Sequence, residues 1–86
     1  MIEHNINILT YNKPEKIIAT IGNIGNEIKR VRELRGLTQH DLCKMTKANI
    51  SAIRNHESGI SFPDIRSLIK YAQVLNAEII FSPKKR

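Results

Sequence analysis

The chain has 86 residues, 14 Lys and Arg against 8 Asp and Glu, and a net charge of +6, with 41% hydrophobic residues and no Trp. That length is one small domain, which hides only about 60–65% of its extended surface, so a monomer is marginal and dimerisation would help. The single cysteine, Cys43, excludes an internal disulfide and a paired-cysteine metal site and fits a reducing cytoplasm. No run approaches the ~18 apolar residues of a membrane span.

The start, MIEHNINIL, lacks the basic region and long apolar stretch of a signal peptide, so a soluble cytoplasmic protein is expected. Asn5 to Tyr11 alternates Ile6 and Ile8 with Asn5, Asn7 and Leu9, the pattern of a short strand. Lys13-Pro14-Glu15 then reads as a helix start, with Ile17, Ile18 and Ile21 as its apolar stripe. Gly22, Asn23 and Gly25 interrupt or end that helix.

From Asn26 to Arg35 the helical signal is strong. Ile28, Val31 and Leu34, preceded by Ile24, recur at three- and four-residue spacing. Lys29, Arg30 and Arg35 read as its solvated face. Gly36 is placed to close the helix in a left-handed conformation. Thr38 can cap the next helix, with Asp41 in its first turn, and Leu42, Cys43 and Met45 or Thr46 form the inner face. Lys47-Ala48 makes a break, and Asn49 caps a third run to His56. Ala52, Ile53 and His56 share one side of that run; Ser51, Arg54, Asn55 and Ser58 share the other. Gly59 ends it. Pro63 and Asp64 open a last helix that turns Ile65, Leu68, Ile69, Ala72 and Leu75 inward. Asn76 can take a left-handed turn, Glu78 to Phe81 reads as a short strand stopped by Pro83, and Lys84-Lys85-Arg86 is a basic tail.

Two close amphipathic helices in a basic chain point to an anionic partner, and a duplex phosphate backbone is the obvious one. From about Gly25 to Leu75 the chain resembles the Cro/repressor-type (XRE) helix-turn-helix family. The marks are Arg32 and Gly36 ahead of Leu37-Thr38-Gln39, then Leu42, Cys43 at a small-residue position, Ile53, Glu57 and Gly59, followed by Pro63 to Ala72. Within the family it is most similar to HipB-type antitoxins, which add a C-terminal strand after the last helix. Two positions depart from the pattern: Lys47 stands where the turn usually carries Gly, and His56 where the core is usually aliphatic.

The resemblance implies a mainly α, five-helix-type repressor domain with a short C-terminal strand, joined by any N-terminal strand, in a dimer sheet. The expected divisions are an N-terminal extension over 1–23, the helix-turn-helix domain over 24–76, and strand plus tail over 77–86. Ile79, Ile80 and Phe81 would form the dimer strand. In such a unit the second helix enters the major groove and the first crosses the backbone. Base contact then falls to Ile50, Ser51, Arg54 and Asn55, with Asn49 at the helix start. Gln39 takes the family's phosphate position, and Lys44, Lys47 and Ser58 are further phosphate candidates. Arg32 and Glu57 are a structural ion pair.

The implied function is a sequence-specific repressor of double-stranded, palindromic operator DNA. It would be the homodimeric antitoxin of a HipBA-like toxin–antitoxin system, regulating its own operon and binding a HipA-type kinase toxin. A stand-alone or phage-type regulator is the alternative, and a protein-interaction module that has lost DNA reading is a third. No catalytic set, cofactor site or metal site is legible: His40 and Cys43 have metal spacing on a helix but no second ligand pair.

Overall fold

A computed structural model describes residues 11–82. Within them the order is β1 (Glu15–Ala19), α1 (Ile24–Leu34), α2 (Gln39–Thr46), α3 (Ile50–Ser58), α4 (Ile65–Leu75) and β2 (Ala77–Phe81). The described residues hold four helices and a short two-stranded parallel sheet, the mainly α architecture that was expected. Of the expected strand over Asn5 to Tyr11 all but Tyr11 lies outside the described residues, as does the tail Lys84-Lys85-Arg86.

The helices have the caps their sequence provides. Thr38 and Asp41 form a reciprocal capping box, with Thr38 N–H donating to Asp41 Oδ2 at 2.8 Å and Asp41 N–H to Thr38 Oγ1 at 3.0 Å. Asn49 Oδ1 accepts from Ala52 N at 2.9 Å, and Asp64 Oδ1 from Ser67 N at 2.8 Å. Gly36, Gly59 and Asn76 all stand at positive φ where helices end.

Lys13-Pro14-Glu15 opens a strand instead of a helix. β1 pairs in parallel with β2, Ile17 opposite Ile79 and Ala19 opposite Phe81. The spacing of Ile17, Ile18 and Ile21 suits either structure, and a partner some sixty residues away decides it. Ile17 and Ala19 are buried under the helices while Ile18 and Ile80 stay exposed on the outer face. The C-terminal strand therefore has a partner within its own chain.

Gly25 does not end a helix; it is buried inside the first turn of α1. A Cβ there would lie 2.2 Å from the carbonyl oxygen of His56 and 2.9 Å from that of Glu57. Glycine thus lets α1 pack directly on the last turn of α3.

The core gathers Ile17, Ile24, Ile28, Val31, Leu37, Leu42, Ile53, Leu68, Tyr71 and Leu75. Burying each aliphatic side chain contributes roughly 1.5–3 kcal/mol. On α4 the inward face is rotated from expectation: Ile65 and Ile69 are exposed, and Tyr71 is buried beside Leu68 and Leu75. The reason is α3, which offers His56 as a hydrogen-bond partner: Tyr71 Oη lies 2.7 Å from His56 Nδ1.

Arg35 is not a solvated residue. It is 1% exposed, donates to the carbonyls of Leu75, Lys13 and Asn76 at 2.9 Å each, and carries its guanidinium over the Tyr11 ring. These bonds satisfy the C-terminal carbonyls of α4 and tie the segment before β1 to them. Tyr11 Oη also bonds the Val74 carbonyl.

Candidate nucleic-acid interface

α2 and α3 meet through a tight turn built from the sequence TKAN. Thr46 is buried and donates its hydroxyl to Leu42 O at 2.7 Å. Lys47 then takes φ 63° and ψ 26°, with its N–H on Cys43 O. The turn is therefore left-handed with a lysine in the position glycine would favour, so this departure leaves the turn geometry in place. A non-glycine residue there costs about 1–2 kcal/mol, and the Lys47 side chain stays exposed.

α3 is anchored from behind and open in front. Ile53 and Glu57 are buried on its inner side, and Ser51, Arg54 and Ser58 are exposed on the other. Ile50 and Asn55 are half-buried. Asn49 spends its carbonyl oxygen on the helix cap, which leaves its amide N–H groups for any outside contact. Ser58 Oγ bonds the Asn55 carbonyl at 3.3 Å. The helix runs to Ser58, two residues past the expected end at His56.

Arg32 and Glu57 meet in a two-point pair, Nε to Oε2 at 2.7 Å and Nη2 to Oε1 at 3.0 Å, and Arg32 Nη1 also holds Leu37 O at 2.8 Å. The Glu57 side chain is only 3% exposed. Its Oε1 accepts a further bond from Gln39 Nε2 at 3.0 Å. One buried carboxylate thus links α1, the head of α2 and the end of α3.

His56 is half-buried, and the burial lowers its pKa below the ordinary histidine value, with Asp64 opposing part of the effect. Its ring meets Tyr71 edge-on. This pairing is how the fold holds a histidine at a position where the family's core is usually aliphatic.

An open cleft of about 300 Å³ brings Gln39, Arg54, Glu57 and Ser58 together with Lys29 of α1. Lys47 lines a separate recess with Thr46, Ala48, Arg66 and Lys70. Lys44 is exposed on α2. Ile79, Ile80 and Phe81 lie on β2, in the sheet. Sequence reasoning missed Lys29 as a cleft residue and the bond from Gln39 to Glu57. The available signal was Lys29's place one helical turn before Arg32.

Among the described residues no helix is long and apolar enough to cross a membrane. No curated protein and no solved structure matches the chain. A protein-family model described as helix-turn-helix matches residues 28–81, well over half of it. That span contains the Thr38, Asn49 and Asp64 caps and the Lys47 turn, and the chain belongs to the XRE-type helix-turn-helix family of DNA-binding regulators.

Proposed function

We propose that this chain is a cytoplasmic, sequence-specific repressor that binds a palindromic operator as a homodimer. The observation that carries the reading is the outward face of α3, where exposed Ser51 and Arg54 stand on a helix capped by Asn49 and braced by Arg32–Glu57. Arg54 can donate two bonds to guanine O6 and N7, Asn55 can read adenine, and Ile50 can meet a thymine methyl. Gln39, Lys44, Lys47, Asn49 and Ser58 contribute backbone contacts, which set register without reading sequence.

Two copies would place their α3 helices about 34 Å apart, one turn of B-DNA. The sheet is the proposed dimer surface: among the described residues each of its two strands keeps one edge without a ladder partner, and Ile18 and Ile80 lie exposed on its outer face. In this reading Ile79, Ile80 and Phe81 add their free edge to a second copy. Sedimentation of an Ile80→Glu variant tests it: a monomer is expected, and an unchanged dimer contradicts the surface.

The antitoxin role, with a HipA-type kinase as toxin, rests on the strand that follows the last helix directly through Asn76. Co-purification with the product of the adjacent gene is the test; a neighbour that is not a toxin, or does not bind, contradicts it. The stand-alone regulator is favoured by one observation, that β2 already pairs within its own chain, so the strand serves the monomer's fold as well.

A further inference from the structure

The basic residues of α1 have unequal fates. Arg30 pairs with Glu15 and Glu27 at 2.9 Å each. Arg32 is spent on Glu57, and Arg35 is buried on backbone carbonyls. Lys29 is exposed and has no ion pair among the described residues. It lines the cleft that also holds Gln39 and Arg54.

The cleft's chemistry is one-sided. Glu57 is its single acid, and that carboxylate is buried and gripped at both oxygens by Arg32. An ionised carboxylate only accepts hydrogen bonds, so the bond from Gln39 fixes which end of the amide faces inward. One Nε2–H goes to Glu57 and the other is left for a ligand. The unpaired Lys29 ammonium and an oriented N–H donor beside an open space suit an anion rich in acceptor oxygens.

We infer that Lys29 of α1 is a further phosphate-binding residue, sharing across this cleft the backbone phosphodiester that the family resemblance already assigns to Gln39, and that Glu57 positions the Gln39 amide. The inference rests on the DNA-binding reading above. Lys29 contributes charge without sequence information, which extends the footprint from α2 and α3 onto α1.

The test is duplex affinity across a salt series for wild type, Lys29→Gln, Lys29→Arg and the charge-matched control Lys13→Gln. Each phosphate neutralised contributes about 0.9 to the slope of log K against log salt. Lys29→Gln is expected to lower that slope by about 0.9 and to weaken binding equally on operator and unrelated duplex; Lys29→Arg and Lys13→Gln should keep the wild-type slope. An unchanged slope in Lys29→Gln, with wild type binding normally, overturns this inference alone. Wild-type protein with no salt-dependent duplex affinity overturns it together with the DNA reading. Saturable binding of inorganic phosphate that Lys29→Gln abolishes, without any change in slope on DNA, replaces the backbone phosphate by a small free anion and also overturns it.

Discussion

Glu57 is the residue on which most of the interface depends, because one nearly inaccessible carboxylate receives Arg32 at two points and Gln39 at a third. Removing it leaves the buried Arg32 guanidinium with only the exposed Glu33 carboxylate, 3.8 Å from its Nη2, as a counter-charge. Glu57→Ala should therefore destabilise the fold by about 3–5 kcal/mol, read as a lower midpoint in urea. His56 gives the second residue-scale expectation. Burial holds its pKa below 6.5 in the folded chain, so the unfolded chain binds more protons as pH drops below that value. Stability is then full above the ordinary histidine pKa and is lost as pH falls through the folded one. Thermal melts from about pH 8 to about pH 5.5 should show the loss, and His56→Gln should flatten it. A wild-type profile with no fall in this range contradicts the buried neutral histidine.

Packing between elements turns on two backbone positions. Gly25→Ala drives a methyl into the carbonyls of His56 and Glu57, both backbone atoms that cannot swing aside. The expected cost is at least ~2 kcal/mol, and wild-type stability in that variant would mean that α1 and α3 are further apart. Lys47→Gly relieves a left-handed lysine and should stabilise the domain by about 1 kcal/mol while weakening DNA binding by loss of a cation. The helix ends were legible in the sequence because Thr38, Asn49 and Asp64 announce caps by their side-chain oxygens, and Gly36 and Gly59 by lacking a Cβ at a left-handed end. β1 was not, because EKIIA fits helix or strand and its decisive partner, AEIIF, lies at the far end of the domain. Arg35 was misread for the same kind of reason. Its partners are the carbonyls at Lys13, Leu75 and Asn76, which no local pattern reveals. Of the interface, the exposed side of α3 followed from helical spacing, whereas the inward turn of the Gln39 amide depends on Arg32 and Glu57 meeting across the fold.

At the scale of the whole molecule, the charge of +6 overstates what is free to meet DNA. Arg30, Arg32 and Arg35 are engaged within the fold, leaving Lys29, Lys44, Lys47 and Arg54 around α2 and α3. Binding should thus depend on a short list of side chains as well as on bulk charge. The most direct measurement is an anisotropy titration of wild type and Arg54→Ala against a duplex carrying the inverted repeat from the gene's own promoter, and against a scrambled duplex at the same salt. Wild type should prefer the repeat by about 10³-fold or more. Arg54→Ala should lose about 1–3 kcal/mol on the repeat and far less on the scrambled duplex. Equal wild-type affinity for the two duplexes, or an Arg54→Ala variant that binds the repeat like wild type, would contradict sequence-specific reading by α3.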